Sequence, residues 1–190
     1  MAETRPVSTI VFLLFACLSA QAQITPPERL GVFTRDTFGP TSMLRAGAGA
    51  GLSQWTNGPP EWEQGGAGFA RRFFSRVGEN TVQNGIEMGA GLALHEDPRY
   101  HRKGNGPVGQ RVWYALTSVL IYHREDGTSR PALAKVGAIY SANMISMSWH
   151  PDRFRATSDG VRAGNIRVGS TAAVNVLREF WPEIRRLIRH

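Results

Sequence analysis

Small residues return at every fourth position in three separate stretches: Gly47 and Gly51; Gly85, Gly89 and Ala93; Ala134, Ala138, Ala142 and Ser146. A spacing of four keeps them on one face of an α-helix. A face without bulk lets two helix backbones come close. That contact has to offset the roughly 1 kcal/mol that each internal glycine costs relative to alanine. Closely crossed helices are therefore the expectation, and the punctuation agrees. Asn57-Gly58-Pro59-Pro60, Asp97-Pro98, Gly106-Pro107, Asp126-Gly127, Pro131 and Pro151 divide the chain into helix-length pieces.

Taken in order, Asp36–Pro40 reads as a turn and 40–55 as a first helix. A second helix runs from Pro60 to a stop at Gly78, with Glu61 and Glu63 early and Arg71, Arg72 and Arg76 late, as the helix dipole favours. Trp62, Phe69, Phe73 and Val77 give it a core stripe. The central helix covers 80–94 and is expected to be largely buried. A basic linker, 99–106, leads to a helix over 108–123 carrying Val112, Trp113, Leu116, Val119 and Leu120. A fifth helix follows over 131–149. A last one starts near Ser158, with Ala173, Leu177, Phe180, Ile184 and Ile188 inward and Pro182 as a kink.

The fold class is thus all-α: a compact bundle of about six Gly/Ala-rich helices. The competing reading is a β-rich outer-membrane protein, with Val112–Tyr122 and Val136–Ser146 as a hairpin around Asp126-Gly127. Neither flank alternates cleanly between polar and apolar, which favours helices.

Residues 1–22 read as a signal peptide: Arg5 is followed by apolar Ile10–Leu18 and a small-x-small site at Ala20-Gln21-Ala22. An extended leader, 23–35, would then precede a single helical domain over 36–190. Export to the periplasm or association with the outer membrane is expected. Leu14-Phe15-Ala16-Cys17 also resembles a lipoprotein signal, although bulky Phe15 disfavours acylation at Cys17. Cys17 is the single cysteine, so cleavage after Ala22 leaves a mature chain without thiol or disulfide chemistry.

The formal net charge is +7, and it rests on 20 arginines against two lysines, Lys103 and Lys135. Guanidinium groups bind carboxylates and phosphates through two parallel hydrogen bonds, so anionic lipid or an envelope polymer is the expected partner. Export disfavours nucleic acid. The Gly/Ala faces offer a route to self-association.

Asp36-Thr37-Phe38-x-Pro40, Pro59-Pro60-Glu61-Trp62-x-Gln64-Gly65, Arg72-Phe73, Asp97-Pro98-Arg99-Tyr100, Tyr114-Ala115-Leu116 and Glu179-Phe180-Trp181-Pro182-Glu183-Ile184 occur in that order. In this the chain resembles a family of uncharacterised exported proteins of acidobacteria-type soil bacteria, over nearly all of its mature length. The resemblance implies export and carries no activity. His101 departs from it, since an aromatic residue such as Phe is expected there.

The densest ionisable group is His95, Glu96, Asp97, Arg99, Tyr100 and His101. A metal-assisted hydrolase centred on His95, Asp97 and His101, with His123, His150 and Asp152 in reserve, is one reading. The two-histidine spacing of zinc proteases is absent, because Arg99 lies four after His95. The other reading is a structural polar cluster of His95, Asp97, Arg99 and Tyr100 that locks the end of the central helix. We adopt that one, and assign no catalytic residue, metal ligand or cofactor.

Glu61, Glu63, Glu87, Glu96 and Asp97 supply carboxylates for glycoside hydrolysis in number only. There is no Gly-x-Ser-x-Gly elbow. Gly104-Asn105-Gly106-Pro107-Val108-Gly109 matches Gly-x-Gly-x-x-Gly, but a basic linker precedes it instead of a strand. The resulting expectation is a non-enzymatic exported envelope protein, structural or binding.

Overall fold

The computed structural model describes residues 25–97, 99–123 and 128–188. The expected signal segment, Cys17, Pro98 and the Asp126-Gly127 turn lie outside the described residues. Helices dominate: α1 Pro26–Phe38, α2 Pro40–Trp55, α3 Gly65–Leu94, α4 Val108–Thr117, α5 Leu133–Ser146 and α6 Ser158–Ile188, with short 3-10 turns at Pro60–Trp62 and Met147–Trp149. The all-α bundle is the architecture. Helix α3 is its hub, packed on α1, α2 and α5, while α6 lies against α5 and α4.

Two of the divisions read from sequence are corrected. The leader is not extended, because Pro26 and Pro27 open a helix at positions where their missing N–H groups cost nothing. Glu28 reaches back to accept hydrogen bonds from the Thr25 N–H (2.8 Å) and hydroxyl (3.0 Å), capping it. Gly78 does not stop a helix either: α3 runs straight through it, with the Trp149 ring 3.7 Å from where a Cβ would stand. The real stop is His95, left-handed at φ 57°, where the N–H of Glu96 closes onto the Gly91 carbonyl at 2.9 Å.

The β alternative survives only as a ribbon of two three-residue strands, β1 Ile121–His123 and β2 Ser129–Pro131. They pair antiparallel, with Tyr122 opposite Arg130. This sheet is open, not a barrel. Its strands trim both neighbouring helices short of their expected ends. Hydroxyl back-bonds from Thr117 to Trp113 and from Ser118 to Tyr114 mark where α4 gives way.

The largest departure concerns which face is inside. The buried apolar core is mostly alanine (Ala46, Ala50, Ala115, Ala132, Ala134, Ala138, Ala142), with Val119 and Ile139. Polar and charged groups share that interior: Arg29, Arg72, Arg111, Asn143, Asn175 and Glu179 are buried. The large apolar side chains turn outward instead, Leu44 at 75%, Trp55 at 86% and Trp113 at 70% exposure.

The expected stripes are corrected accordingly. On α6, Ala173, Leu177 and Ile188 face out while Asn175 and Glu179 face in. On α3, Leu92 and Leu94 are exposed, as is Phe69, whereas Arg72 is not. On α2 the packed face is Ala46 and Ala50, one position off the glycines; a Cβ at Gly47 or Gly51 would meet nothing within 4 Å.

Close crossing does occur between α5 and α6. A Cβ on Gly164 would come within 2.6 Å of the Tyr140 ring, and one on Gly160 within 2.8 Å of the Met144 Cα. Gly164→Ala is therefore expected to cost about 1–3 kcal/mol through overpacking. Gly169→Ala on the same helix meets nothing within 4 Å. It should instead gain roughly 0.5–1 kcal/mol of helix propensity. Urea midpoints moving in opposite directions would verify the crossing, and a shared direction would refute it.

Candidate functional site

The polar cluster expected at 95–101 is only partly assembled. Asp97 accepts from the Arg99 backbone N–H (2.9 Å) and, at 2.7–3.0 Å, from its guanidinium. Burial alone would raise the Asp97 pKa, but these Arg99 bonds outweigh it and hold the carboxyl below its ordinary value. His101 Nε2 lies 3.8 Å away. His95 does not join them; it is exposed, and its backbone does the capping. Tyr100 turns elsewhere, to Glu179. The void bordering this cluster is about 30 Å³, about one water in size.

The metal candidates are dispersed too. His150 Nδ1 lies 2.8 Å from the Ser146 carbonyl. Among the described residues, no three His, Cys, Asp or Glu side chains are grouped to hold a metal ion. The carboxylates have separate partners. Glu61 pairs with Arg153 at 2.6 Å. Glu96 accepts the first N–H groups of α5, Leu133 at 3.0 Å and Ala134 at 3.1 Å.

Glu179, 0% exposed, is the centre of a larger knot. Its Oε2 accepts from the Tyr100 hydroxyl (2.9 Å) and the Lys103 N–H (3.0 Å). Its Oε1 accepts from the Gly104 N–H (2.8 Å) and from Arg111 Nε (3.0 Å). Arg111 also donates to the Glu179 carbonyl (3.0 Å), in the turn that Pro182 interrupts, and pairs with Glu183 at 2.8 Å. Burial would raise the Glu179 pKa, yet the Gly104, Arg111, Tyr100 and Lys103 bonds lower it. The first N–H of the glycine motif, with that of Lys103 just before it, therefore does hold an anion: the chain's own carboxylate. This knot is a fastening.

A recess lined by polar and apolar groups lies between α1, α2, α3, α5 and α6, with a volume of about 350 Å³. That is the lower end of small-molecule sites. Arg29, Arg45, Arg76, Lys135, Arg167 and Arg178 line it, against only Asp36 and Glu87. Phe33, Met88 and Ile139 line it as well. Asp36 accepts from Arg35 at 3.0 Å. Burial raises the Glu87 pKa, with Lys135 at 3.9 Å pulling the other way.

Arg167 donates to Gln83 at 3.0 Å and to Asn80. Burial lowers its pKa, and partial desolvation followed by Arg45 lowers that of Arg178. Arg29 is 4% exposed, and neither its Nε nor its Nη1 has a hydrogen-bond partner; the same holds for the buried Ser42 hydroxyl.

No family model, curated protein or solved structure matches this chain. The functional reading therefore rests on the geometry. Sequence analysis missed both Glu179 and the arginine-lined recess. For Glu179 the signal was present, a carboxylate about one turn before the proline inside its helix. For the recess there was none, since its residues come from five helices.

Proposed function

We propose that the chain is a non-enzymatic protein of the cell envelope whose helical body sits against an anionic lipid surface. The observation that carries this reading is the inverted burial: many large apolar side chains outward, with Arg29, Arg72, Arg111, Asn143, Asn175 and Glu179 inward. In water such an arrangement forfeits roughly 25 cal/mol for every Å² of apolar surface left exposed. Against lipid that loss disappears, and contiguous exposed apolar surface is the usual mark of a partner.

The end of α6 has the mixture an interface favours. Trp181, Leu187 and Ile188 are exposed beside exposed Arg185 and Arg186. Indole belongs at headgroup depth, and guanidinium groups reach the phosphates. No helix among the described residues is long and apolar enough to cross a membrane, so the reading is of a body lying on the bilayer. Export, and the periplasmic or outer-membrane location, belong to the same proposal.

Flotation of the chain from Gln23 with vesicles tests it. The protein should rise with phosphatidylglycerol vesicles, rise less with phosphatidylcholine, and be only partly released by high salt, because apolar burial is not screened. Protein that stays at the bottom with both lipids would refute the proposal.

A further inference from the structure

The arginine-lined recess is a separate matter from the outer surface, and its argument holds whether or not that surface meets lipid. Six cations and two carboxylates line it. Among the described residues, Arg29, Arg45, Arg167 and Arg178 have no carboxylate within ion-pair distance. Arg29 is buried and Arg167 half-buried, while Arg45 and Arg178 are exposed at the rim; burying unpaired charge is costly, and like charges gathered round one cavity raise that cost. A fold held together by such a cluster would do better with neutral side chains of the same volume. The cluster makes sense if something anionic belongs among it.

Two further features make this a built site. The Arg29 guanidinium is nearly inaccessible, yet two of its three nitrogens find no acceptor in the protein. It leans over Gly91, where a Cβ would stand 3.0 Å from Nη1, so the position without a side chain leaves it room. The Ser42 hydroxyl, equally buried on the neighbouring helix, is also without a partner and lines the same recess.

We propose that this recess binds a phosphate-headed ligand, its oxyanion at the Arg29 guanidinium beside Gly91, its apolar portion along Phe33 and Met88, with Arg178 at the mouth and Arg167, held by Asn80 and Gln83, about two turns or more away along α3 at the far end. Guanidinium forks match phosphate oxygens in geometry, and a dianion answers a lining with an excess of four positive charges better than a carboxylate does. The shared chemistry is a phosphate monoester, supplied by a lipid headgroup or by a free phosphate compound. The volume, about a dozen waters' worth at about 30 Å³ each, exceeds what an inorganic phosphate fills and leaves space for the first part of an attached chain.

Titration calorimetry on the chain from Gln23 tests this, using dodecyl phosphate below its micelle concentration, inorganic phosphate and dodecyl maltoside. Dodecyl phosphate is expected to bind one to one, and dodecyl maltoside not at all. Arg29→Met and Arg178→Met should each weaken dodecyl phosphate by about tenfold or more. Arg178 is on the accessible side, so its variant keeps the test valid should the Arg29 variant fold poorly. Inorganic phosphate binding as tightly as dodecyl phosphate would support the oxyanion site and assign it to free phosphate compounds. Binding of dodecyl maltoside equal to that of dodecyl phosphate, no phosphate binding, or phosphate binding unchanged in Arg178→Met would each overturn the proposal.

Discussion

Replacing Glu179 by glutamine should lower the unfolding free energy by about 3–5 kcal/mol at neutral pH, the usual range when one partner of a buried ion pair is removed. The substitution keeps shape and changes one oxygen into an NH₂ group. Each carboxylate oxygen receives two donors, Tyr100 and Lys103 on one, Gly104 and Arg111 on the other. Whichever way the amide turns, its NH₂ group faces two donors. Glu183→Gln is the matched control. Its carboxylate also pairs with Arg111 but is 42% exposed, so the loss should be much smaller than for Glu179→Gln.

The pH dependence gives a second, independent readout. The folded-state pKa of Glu179 is lowered, so its contribution is complete above the ordinary carboxylate value of 4.5 and fades as pH falls through the lower folded value. Parent and Glu179→Gln should therefore converge in acid. The Tyr100 pKa is raised, by burial first and then by its bond to Glu179. That contribution is present below the ordinary phenol value of 10.0 and is lost as pH rises beyond it. Urea midpoints followed across pH should show the gap between parent and variant closing in acid. A constant gap would mean that the carboxylate charge contributes nothing.

Much of the helical framework was legible in sequence because its causes are local. Pro40 and Pro107 open helices at about the expected positions, and the Ala134-Ala138-Ala142 face is buried as its spacing implies. The failures share one physical origin. Reading Leu177 and Phe69 as inward assumes that bulky apolar residues make the closest helix contacts, and the assignment inverts once small and polar residues make them. Gly78 was read as a stop from its identity alone, yet a glycine ends a helix only when it takes the left-handed conformation, which His95 takes instead. The same limit hid the Glu179 knot, whose donors lie 68 to 79 positions away along the chain. Nothing local to α6 announces that its carboxylate will be wrapped by the glycine-rich linker.

Arg72 offers the other large effect, and it tests the inverted interior directly. Its side chain is 1% exposed, on a helix face turned to the interior. Its guanidinium donates to the carbonyls of Gly58 (3.0 Å), Pro59 (2.8 Å) and Glu63 (2.7 Å) and to Gln54 Oε1 (2.6 Å). It thereby gathers the loop between α2 and α3, including Glu63, which is held at φ 59° where a side chain is ill at ease. Arg72→Met leaves these acceptors unmet, and the expected cost is about 3–5 kcal/mol. Arg72→Lys should rescue little, because an ammonium cannot spread its donors over so wide a fork. Gly68→Ala attacks the same joint from the backbone, since a Cβ there would stand 2.3 Å from the Glu63 carbonyl oxygen and 2.8 Å from Arg72 Nη1. If one loop anchor underlies both losses, the double variant will be less destabilised than the two singles added together. Full additivity would mean that Arg72 and Gly68 support separate parts of the fold, and that the loop is held by something other than this arginine.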